Sequence, residues 1–435
     1  MKFHSTRNAA HTATLSEAIA QGIAPDGGLF VPQALPRLDV ARLAGLSLPD
    51  TARAVLAPFF AGDELEGELG DIVAEAFDFP APLGAIEGEL EVLELFHGPT
   101  AAFKDFGARC LAAALQRIEG RRAREPLTIL VATSGDTGGA VAAAFHRRPN
   151  VRVVVLYPRG LVSPRQEQQL TCWGDNVLSA SVAGTFDDCQ RMVKEALADP
   201  ALRERHRFSS ANSINIGRLL PQVVYYAATS VDVHRRTGRD ASFIVPSGNL
   251  GNAMACAWAR CMGLPIGRIV LAHNANRTVP DYFTSGEWRP RPSVATLASA
   301  MDVGNPSNME RLRQLLEQVR ALRGKLSAAS VGDEAIRDRI RADYRSRGRT
   351  WCPHTAVAAE VHARMQREQR DARHWVLVAT AHPAKFSEIV EPLIGATVPV
   401  PPALAALLDL PRHVSEIDAN LSSLSRILAT ACSTP

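Results

Sequence analysis

The chain has almost no excess of charge of either sign: 48 basic residues against 45 acidic ones leave a formal net charge of +3. So small an imbalance offers no electrostatic footprint for nucleic acid or for an anionic membrane. No apolar run approaches the roughly 20 residues that a membrane helix needs. The opening segment, MKFHSTRNAAHTATLSEAIAQG, lacks the apolar core of a signal peptide. The seven cysteines (Cys110, Cys172, Cys189, Cys256, Cys261, Cys352 and Cys432) are odd in number and form no CxxC pair. That spacing argues against a disulfide framework and against a zinc site, and fits a reducing cytosol. His97, His273 and His382 have no metal-like spacing to another ligand either. Low-complexity blocks and internal repeats are also missing. These absences leave a soluble cytoplasmic globular protein whose partners are small molecules. The basic clusters Arg121, Arg122 and Arg124, and Arg235, Arg236 and Arg239, read as solvated helix ends.

What is present is a length of 435 residues, enough for two or three folding units. The first 80 residues differ from the rest. Two amphipathic helical patterns, 50–60 and 65–77, follow a lead punctuated by Pro25, Gly27, Gly28 and Pro32, and Pro80 and Pro82 close the segment. We expect a mainly helical subdomain over 1–80, with no residues for chemistry, and a catalytic core over 81–435. From Glu91 on, short apolar runs alternate with longer helical ones. Strands are expected at 92–96, 127–132, 151–157, 242–245, 269–273 and 376–380. Helices are expected at 103–118, 138–147, 186–197, 218–233 and 252–262, and helical patterns dominate 309–365. Such alternation implies an α/β fold with parallel sheets flanked by helices. Ligands in these folds bind beyond the carboxyl ends of the strands, so the loops after strands carry the interest.

Three of those loops are unusual. HGPTAAFKDFG (97–107) puts Lys104 near the start of a helix, where the dipole disfavours an ammonium, among small and apolar neighbours that would desolvate it. A lysine in a first helical turn is ordinarily a solvated surface residue; a desolvated one is a nucleophile able to form a Schiff base. ATSGDTGGA (132–140) offers hydroxyls and backbone N–H groups to a carboxylate or phosphate at a helix start. PSGNLGNA (246–253) would let backbone wrap an anion at Gly248 and Gly251, with donors from Ser247, Asn249 and Asn252. It is neither a P-loop nor a Rossmann fingerprint. Each Gly-rich loop alone is also compatible with a plain tight turn.

Together these segments resemble the threonine synthase family, within the tryptophan-synthase-β-like (fold type II) group of pyridoxal-phosphate (PLP) enzymes. ELFHGPTAAFKDFGAR is similar to that family's Schiff-base segment, ATSGDTGGA to its substrate-carboxylate loop and SGNLGN to its cofactor-phosphate cup. NSINIGRLLPQ, DGGLFVP, AMDVGNPSN and TAHPAKF add matches in the family's order along nearly the whole chain. The resemblance implies two α/β lobes with PLP in the cleft between them. It implies that Lys104 holds PLP and then moves protons, and that Ser247, Gly248, Asn249, Leu250, Gly251 and Asn252 hold the cofactor phosphate. Thr380 is implied at the pyridine nitrogen, and Asp136 where many relatives have an asparagine facing the ring hydroxyl. The charge of an aspartate there leaves its partner and protonation open. Ser134, Gly135 and Thr137 are implied at the substrate carboxylate, Asn212 and Arg218 at the substrate phosphate. Lys385 reads better as a solvated residue than as an anion ligand. The implied reaction turns O-phospho-L-homoserine and water into L-threonine and phosphate. The alternatives are a related phospho-lyase releasing 2-oxobutyrate and a non-catalytic anion-binding α/β protein.

Overall fold

Runs of Val, Ile, Leu and Ala that are buried from end to end form the centre of the molecule, as strands covered on both faces require. A computed structural model describes residues 1–121 and 125–431. Its strands are β1 (Phe3–Ser5), β2 (Thr12–Ala13), β3 (Phe30–Pro32), β4 (Leu83–Glu87), β5 (Leu90–Glu94), β6 (Leu127–Ala132), β7 (Val151–Pro158), β8 (Val177–Ala183), β9 (Arg207–Ser210), β10 (Ala241–Pro246), β11 (Ile266–His273), β12 (Leu326–Ser330), β13 (His374–Ala379) and β14 (Val414–Asp418). One sheet has the order β12-β11-β10-β13-β5-β4, parallel except for the β4–β5 edge. A second has the order β14-β8-β7-β6-β9 and is parallel throughout. Strands β6, β10 and β13 are wholly buried. Each lobe therefore presents the carboxyl ends of its central strands, with the loops that follow them, to a common cleft.

The amino-terminal part is more than helical. Helices Leu15–Gln21, Leu48–Phe60 and Leu69–Ala76 are joined by a small antiparallel sheet, β2-β1-β3, that the helical patterns gave no sign of. The helical stretch expected over 309–365 is likewise interrupted by β12, the edge strand of the larger sheet. The helix expected at 218–233 is two pieces, Ile216–Leu219 and Gln222–Thr237, divided at Pro221. Of the basic clusters, Arg121 pairs with Glu64 and Glu68, Arg235 with Asp232, Arg236 with Asp232 and Glu91, and Arg239 with Glu89. Arg122, Arg124 and Cys432 lie outside the described residues. Among the described residues, no helix is long and apolar enough to cross a membrane.

One buried guanidinium ties the amino-terminal part to the cleft. Arg311, on helix Met309–Gln318, is 1% exposed. It donates to the Phe30 carbonyl from Nε (3.1 Å) and Nη2 (2.7 Å), to Ile214 O (2.7 Å) and to Asn308 Oδ1 (2.7 Å). Asn308 in turn donates to Asn249 O at 2.9 Å, so the chain of bonds ends in the 246–253 loop. We expect Arg311→Met, which leaves buried carbonyls unpaired, to cost about 3 kcal/mol of stability. Urea unfolding followed by circular dichroism measures it; an unmoved midpoint would remove Arg311 from this role.

Candidate active site

Lys104 is the first residue of helix Lys104–Gly120, and no side chain caps that helix. Its approach is fixed instead by main-chain bonds to the segment after β13. Phe103 N–H donates to Thr380 O (2.9 Å) and His382 N–H to Ala101 O (3.0 Å), around an antiparallel bridge between Ala102 and Ala381. Asp105, buried behind the turn, accepts from Thr100 N–H (2.9 Å) and Thr100 Oγ1 (2.6 Å). Two glycines make this loop possible. A Cβ on Gly98 would sit 2.6 Å from Asp105 Oδ2, and one on Gly107 2.6 Å from the Arg218 carbonyl oxygen. Gly107 thus lets the segment carrying Arg218 lie directly against the lysine helix.

The loop after β6 is organised by Thr133. Its Oγ1 accepts from Gly135 N–H (3.0 Å) and Gly138 N–H (2.9 Å), the latter in the first turn of helix Asp136–Phe145. Gly135 has φ +130°, and a Cβ there would meet the Gln166 amide at 2.5 Å. Its N–H is committed to Thr133, and it does not line the cavity; Ser134, Asp136 and Thr137 do. After β10, Ser247 N–H continues the sheet by donating to Ala272 O (2.8 Å), and Leu250 turns the chain into helix Gly251–Cys261 with φ +65°. A Cβ on Gly248 would fall 2.8 Å from Met301 Cα, so the absence of a side chain admits the 300–303 backbone as the opposite wall.

These loops enclose one cavity of about 100 Å³. Lys104, Asp136, Ser134, Thr137, Asn212, Arg218, Thr380 and the whole of Ser247, Gly248, Asn249, Leu250, Gly251 and Asn252 line it. Four buried polar atoms around it have no hydrogen-bond partner among the described residues: Asn212 Oδ1, Arg218 Nε, Asn252 Nδ2 and His354 Nδ1. Tyr225 and Tyr226 donate to Asn252 Oδ1 at 2.7 and 2.8 Å, which turns the amide NH2 of Asn252 away from them as a free donor. Buried polar groups are rarely left unpaired, so unpaired ones around a cavity mark where a polar ligand belongs. A phosphorylated aromatic aldehyde fits this set. An amine for the aldehyde, a helix start with an orphan amide donor for the phosphate, and a hydroxyl at Thr380 are all present.

The electrostatics favour a reactive amine. Desolvation is the largest influence on Lys104 and lowers its pKa to about 8; Asp136 opposes the shift, while Arg218 and Lys385 add to it. The side chain is half-buried by surface area, because its tip opens on the cavity; the lining crowds it nonetheless. Burial likewise lowers Arg218 to about 10 and His354 to about 4. For Asp136 burial works against the charge, but Lys385, Lys104 and His354 outweigh it and hold the carboxyl well below its usual range.

Lys385 is not the solvated residue that its sequence context suggested. It is fully buried, pairs with Asp136 Oδ1 at 2.8 Å and donates to Thr100 O at 2.8 Å. The reading went astray because a lone lysine in a loop is ordinarily exposed, and nothing local announces a carboxylate from the other lobe. Gln166, which donates to the same Asp136 oxygen at 3.0 Å, and His354, whose Nε2 accepts from Ala300 N–H at 3.1 Å, were not singled out at all. Both arrive by topology, from helices Pro164–Thr171 and Pro353–Ala363. Phe186 and Gln190 of helix Phe186–Ala198 also line the cavity. The TAHPAKF match was the one signal that could have found Lys385.

Comparisons with known proteins converge on one family. The model for the pyridoxal-phosphate dependent enzymes matches residues 87–381, that for the threonine synthase N terminus residues 2–77, and that for the threonine synthase C-terminal region residues 355–428. Threonine synthases of Serratia marcescens and of Escherichia coli (strain K12) are each 39% identical over 431 residues, covering 98% of this chain and 99% of theirs. The crystal structure of threonine synthase from Escherichia coli superposes with a TM-score of 0.90 at 38% identity, covering 99% of this chain and 100% of that one. PLP-bound threonine synthase from Brucella melitensis gives a TM-score of 0.90 at 33% identity over 99% of both chains. A pyridoxal 5'-phosphate-dependent aspartate racemase, 14% identical with a TM-score of 0.53 over 72% of this chain, shares the fold alone. The chain belongs to the threonine synthase family of pyridoxal-phosphate-dependent enzymes.

Proposed function

We propose that this chain is a threonine synthase that converts O-phospho-L-homoserine and water into L-threonine and inorganic phosphate, by elimination at Cγ followed by addition of water at Cβ. The observation that carries the reading is a desolvated amine, Lys104, in one cavity with unpaired donors from Asn252 and Arg218. Lys104 would hold PLP covalently, residues 247–252 its phosphate and Thr380 its ring nitrogen, with Asp136 beside them. Bound there, PLP supplies an electron sink for the carbanions the reaction needs. Thr380 is neutral, so it would leave the ring a milder sink than a carboxylate partner would.

The remaining work falls to the chain's own residues. Ser134 and Thr137 face the cavity with hydroxyls placed for the substrate carboxylate. Gly135 takes part by shaping the turn, since its N–H is already used. Lys104, when not bonded to the cofactor, would serve as the base, its pKa lowered by burial. It removes the Cα proton and then a Cβ proton. Phosphate leaves from Cγ, the oxygen of water bonds to Cβ, and Cα and Cγ regain protons. Arg218 and Asn212 flank the region where charge grows on the departing phosphate, and the unpaired Arg218 Nε gives that oxygen a fixed donor. We also place a subdomain boundary near residue 80, which the separate amino-terminal family match supports. A cytosolic site of action fits the free state of the six described cysteines.

Purified protein incubated with O-phospho-L-homoserine should yield threonine and phosphate in equal amounts; 2-oxobutyrate in place of threonine would establish the phospho-lyase alternative. Lys104→Ala should fail to retain cofactor after borohydride reduction and lose at least about 10³-fold in turnover. A variant that still traps cofactor would end the assignment. Because the Lys104 pKa is depressed, its reactive neutral form accumulates as pH rises through about 8. The rate at which apoprotein captures PLP should climb between pH ~7 and ~9 and then level, as for an amine titrating there. A rate still climbing steeply at pH ~10 would show an ordinary solvated lysine.

A further inference from the structure

We infer that the buried Asp136–Lys385 ion pair sets the protonation of the Lys104 nitrogen, Asp136 favouring the proton there and Lys385 opposing it. The inference rests on the reading of Lys104 as the cofactor-bearing amine and adds a device to it. Lys385 lies in the single turn Pro383–Phe386 just beyond β13, with no exposed surface. Its ammonium bridges three loops: its own, the one preceding Lys104 through Thr100 O, and the one after β6 through Asp136 Oδ1. Gln166 adds a second donor to Oδ1 at 3.0 Å, while no hydrogen bond among the described residues engages Oδ2. The carboxylate is thus held by one oxygen, and it lines the cavity that Lys104 enters.

A buried ion pair is weak evidence for stability, because desolvating two charges offsets their attraction. This one sits in the cavity wall beside a titrating amine. The charged groups acting on Asp136 are Lys385 and Lys104, with His354 joining them only where it is protonated, and its own charge is felt by Cys352. Those acting on Lys104 are Asp136, Arg218 and Lys385. Asp105 faces the same cations from behind, through Arg218 and Lys385. His354 is neutral near pH 7 because burial holds it at about 4. Asp136 is the group among these that favours a proton on Lys104, and Lys385 opposes it. The two oppose each other, and Asp136 is the stronger influence. Removing the carboxylate alone leaves an uncompensated ammonium, which disfavours a second positive charge on the Lys104 nitrogen. Removing both takes that ammonium away as well.

The test uses wild-type holoenzyme, Asp136→Asn, Lys385→Met and the double variant, each titrated with pH while the absorbance of the lysine-bound cofactor is followed. The midpoint should fall by about one pH unit or more in Asp136→Asn. It should return part of the way to the wild-type value in the double variant, and Lys385→Met alone should raise it. An unmoved midpoint in Asp136→Asn overturns the inference. So does a double variant that shows no recovery, or a Lys385→Met midpoint that fails to rise. Should Lys385→Met not fold, Asp136→Asn and the double variant decide the matter. The pH dependence of PLP capture by the apoproteins provides a second readout, in which the apparent Lys104 pKa should fall in Asp136→Asn. Wild-type protein that traps no cofactor on Lys104 would instead sink the reading of the site, a result distinct from any of these.

Discussion

An ammonium group loses several kcal/mol of hydration when protein closes around it, unless a partner compensates. The Lys104 amine makes no hydrogen bond among the described residues and opens a helix whose dipole repels it; Asp136 favours its charge, and Arg218 and Lys385 oppose it. The rest of the site follows from the need to keep that amine dry and still reachable. It is reachable because it stands at the carboxyl ends of parallel strands, where side-chain packing stops and loops diverge. It is dry because the loops of two sheets close over it. Neither sheet alone would suffice: β5, β10 and β13 supply the lysine loop, the 246–253 loop and Thr380, while β6 supplies Ser134, Asp136 and Thr137.

Closing two lobes around so small a space demands that backbones touch, and glycine marks where they do. Gly107 admits the Arg218 carbonyl, Gly248 the Met301 backbone and Gly135 the Gln166 amide. Each contact fixes one wall against another, so the wall positions are coupled through main chain and not through adjustable side chains. Asn308 and Arg311 extend this coupling outward to Phe30. The amino-terminal part, which does not line the cavity, is thereby tied to the 246–253 loop.

The parts of this arrangement legible in the sequence are those whose determinants are local. Strands such as β6, β10 and β13 are unbroken apolar runs and declare themselves; the loops after them carry their own hydroxyls, glycines and lysine. Strands β8, β9, β12 and β14 (VLSASVA, RFSS, LSAAS and VSEID) were missed because their apolar runs are broken, the first three by Ser and Ala and the last by Ser, Glu and Asp. Sheet pairing, not composition, makes them strands. The small sheet β2-β1-β3 was missed for the same reason, since two or three residues carry no periodicity. Within the site, Lys385, Gln166 and His354 were illegible because their partners lie in other elements. Asp136 shows both sides. Its place in GDTG was plain from the sequence, whereas the ion that keeps it charged comes from a residue nearly 250 positions away.

The chain's choice of cations bears on the same point. It has five lysines, Lys2, Lys104, Lys194, Lys325 and Lys385, and its other 43 basic residues are arginine. Arginine keeps its charge at any accessible pH and serves for ion pairs such as Arg236 with Glu91 or Arg339 with Asp343. A group that must lose and regain a proton near neutrality cannot be arginine. Lys104 lines the cavity, Lys385 pairs with Asp136 in its wall, and the surroundings of the two are opposite. Lys385 is given a carboxylate, a carbonyl and no access to solvent. Lys104 is given a dry wall, no direct acceptor and an opening toward the cavity, so its charge is free to change. Burial is what brings Lys104 down to about 8; Asp136 opposes that shift, while Arg218 and Lys385 add to it.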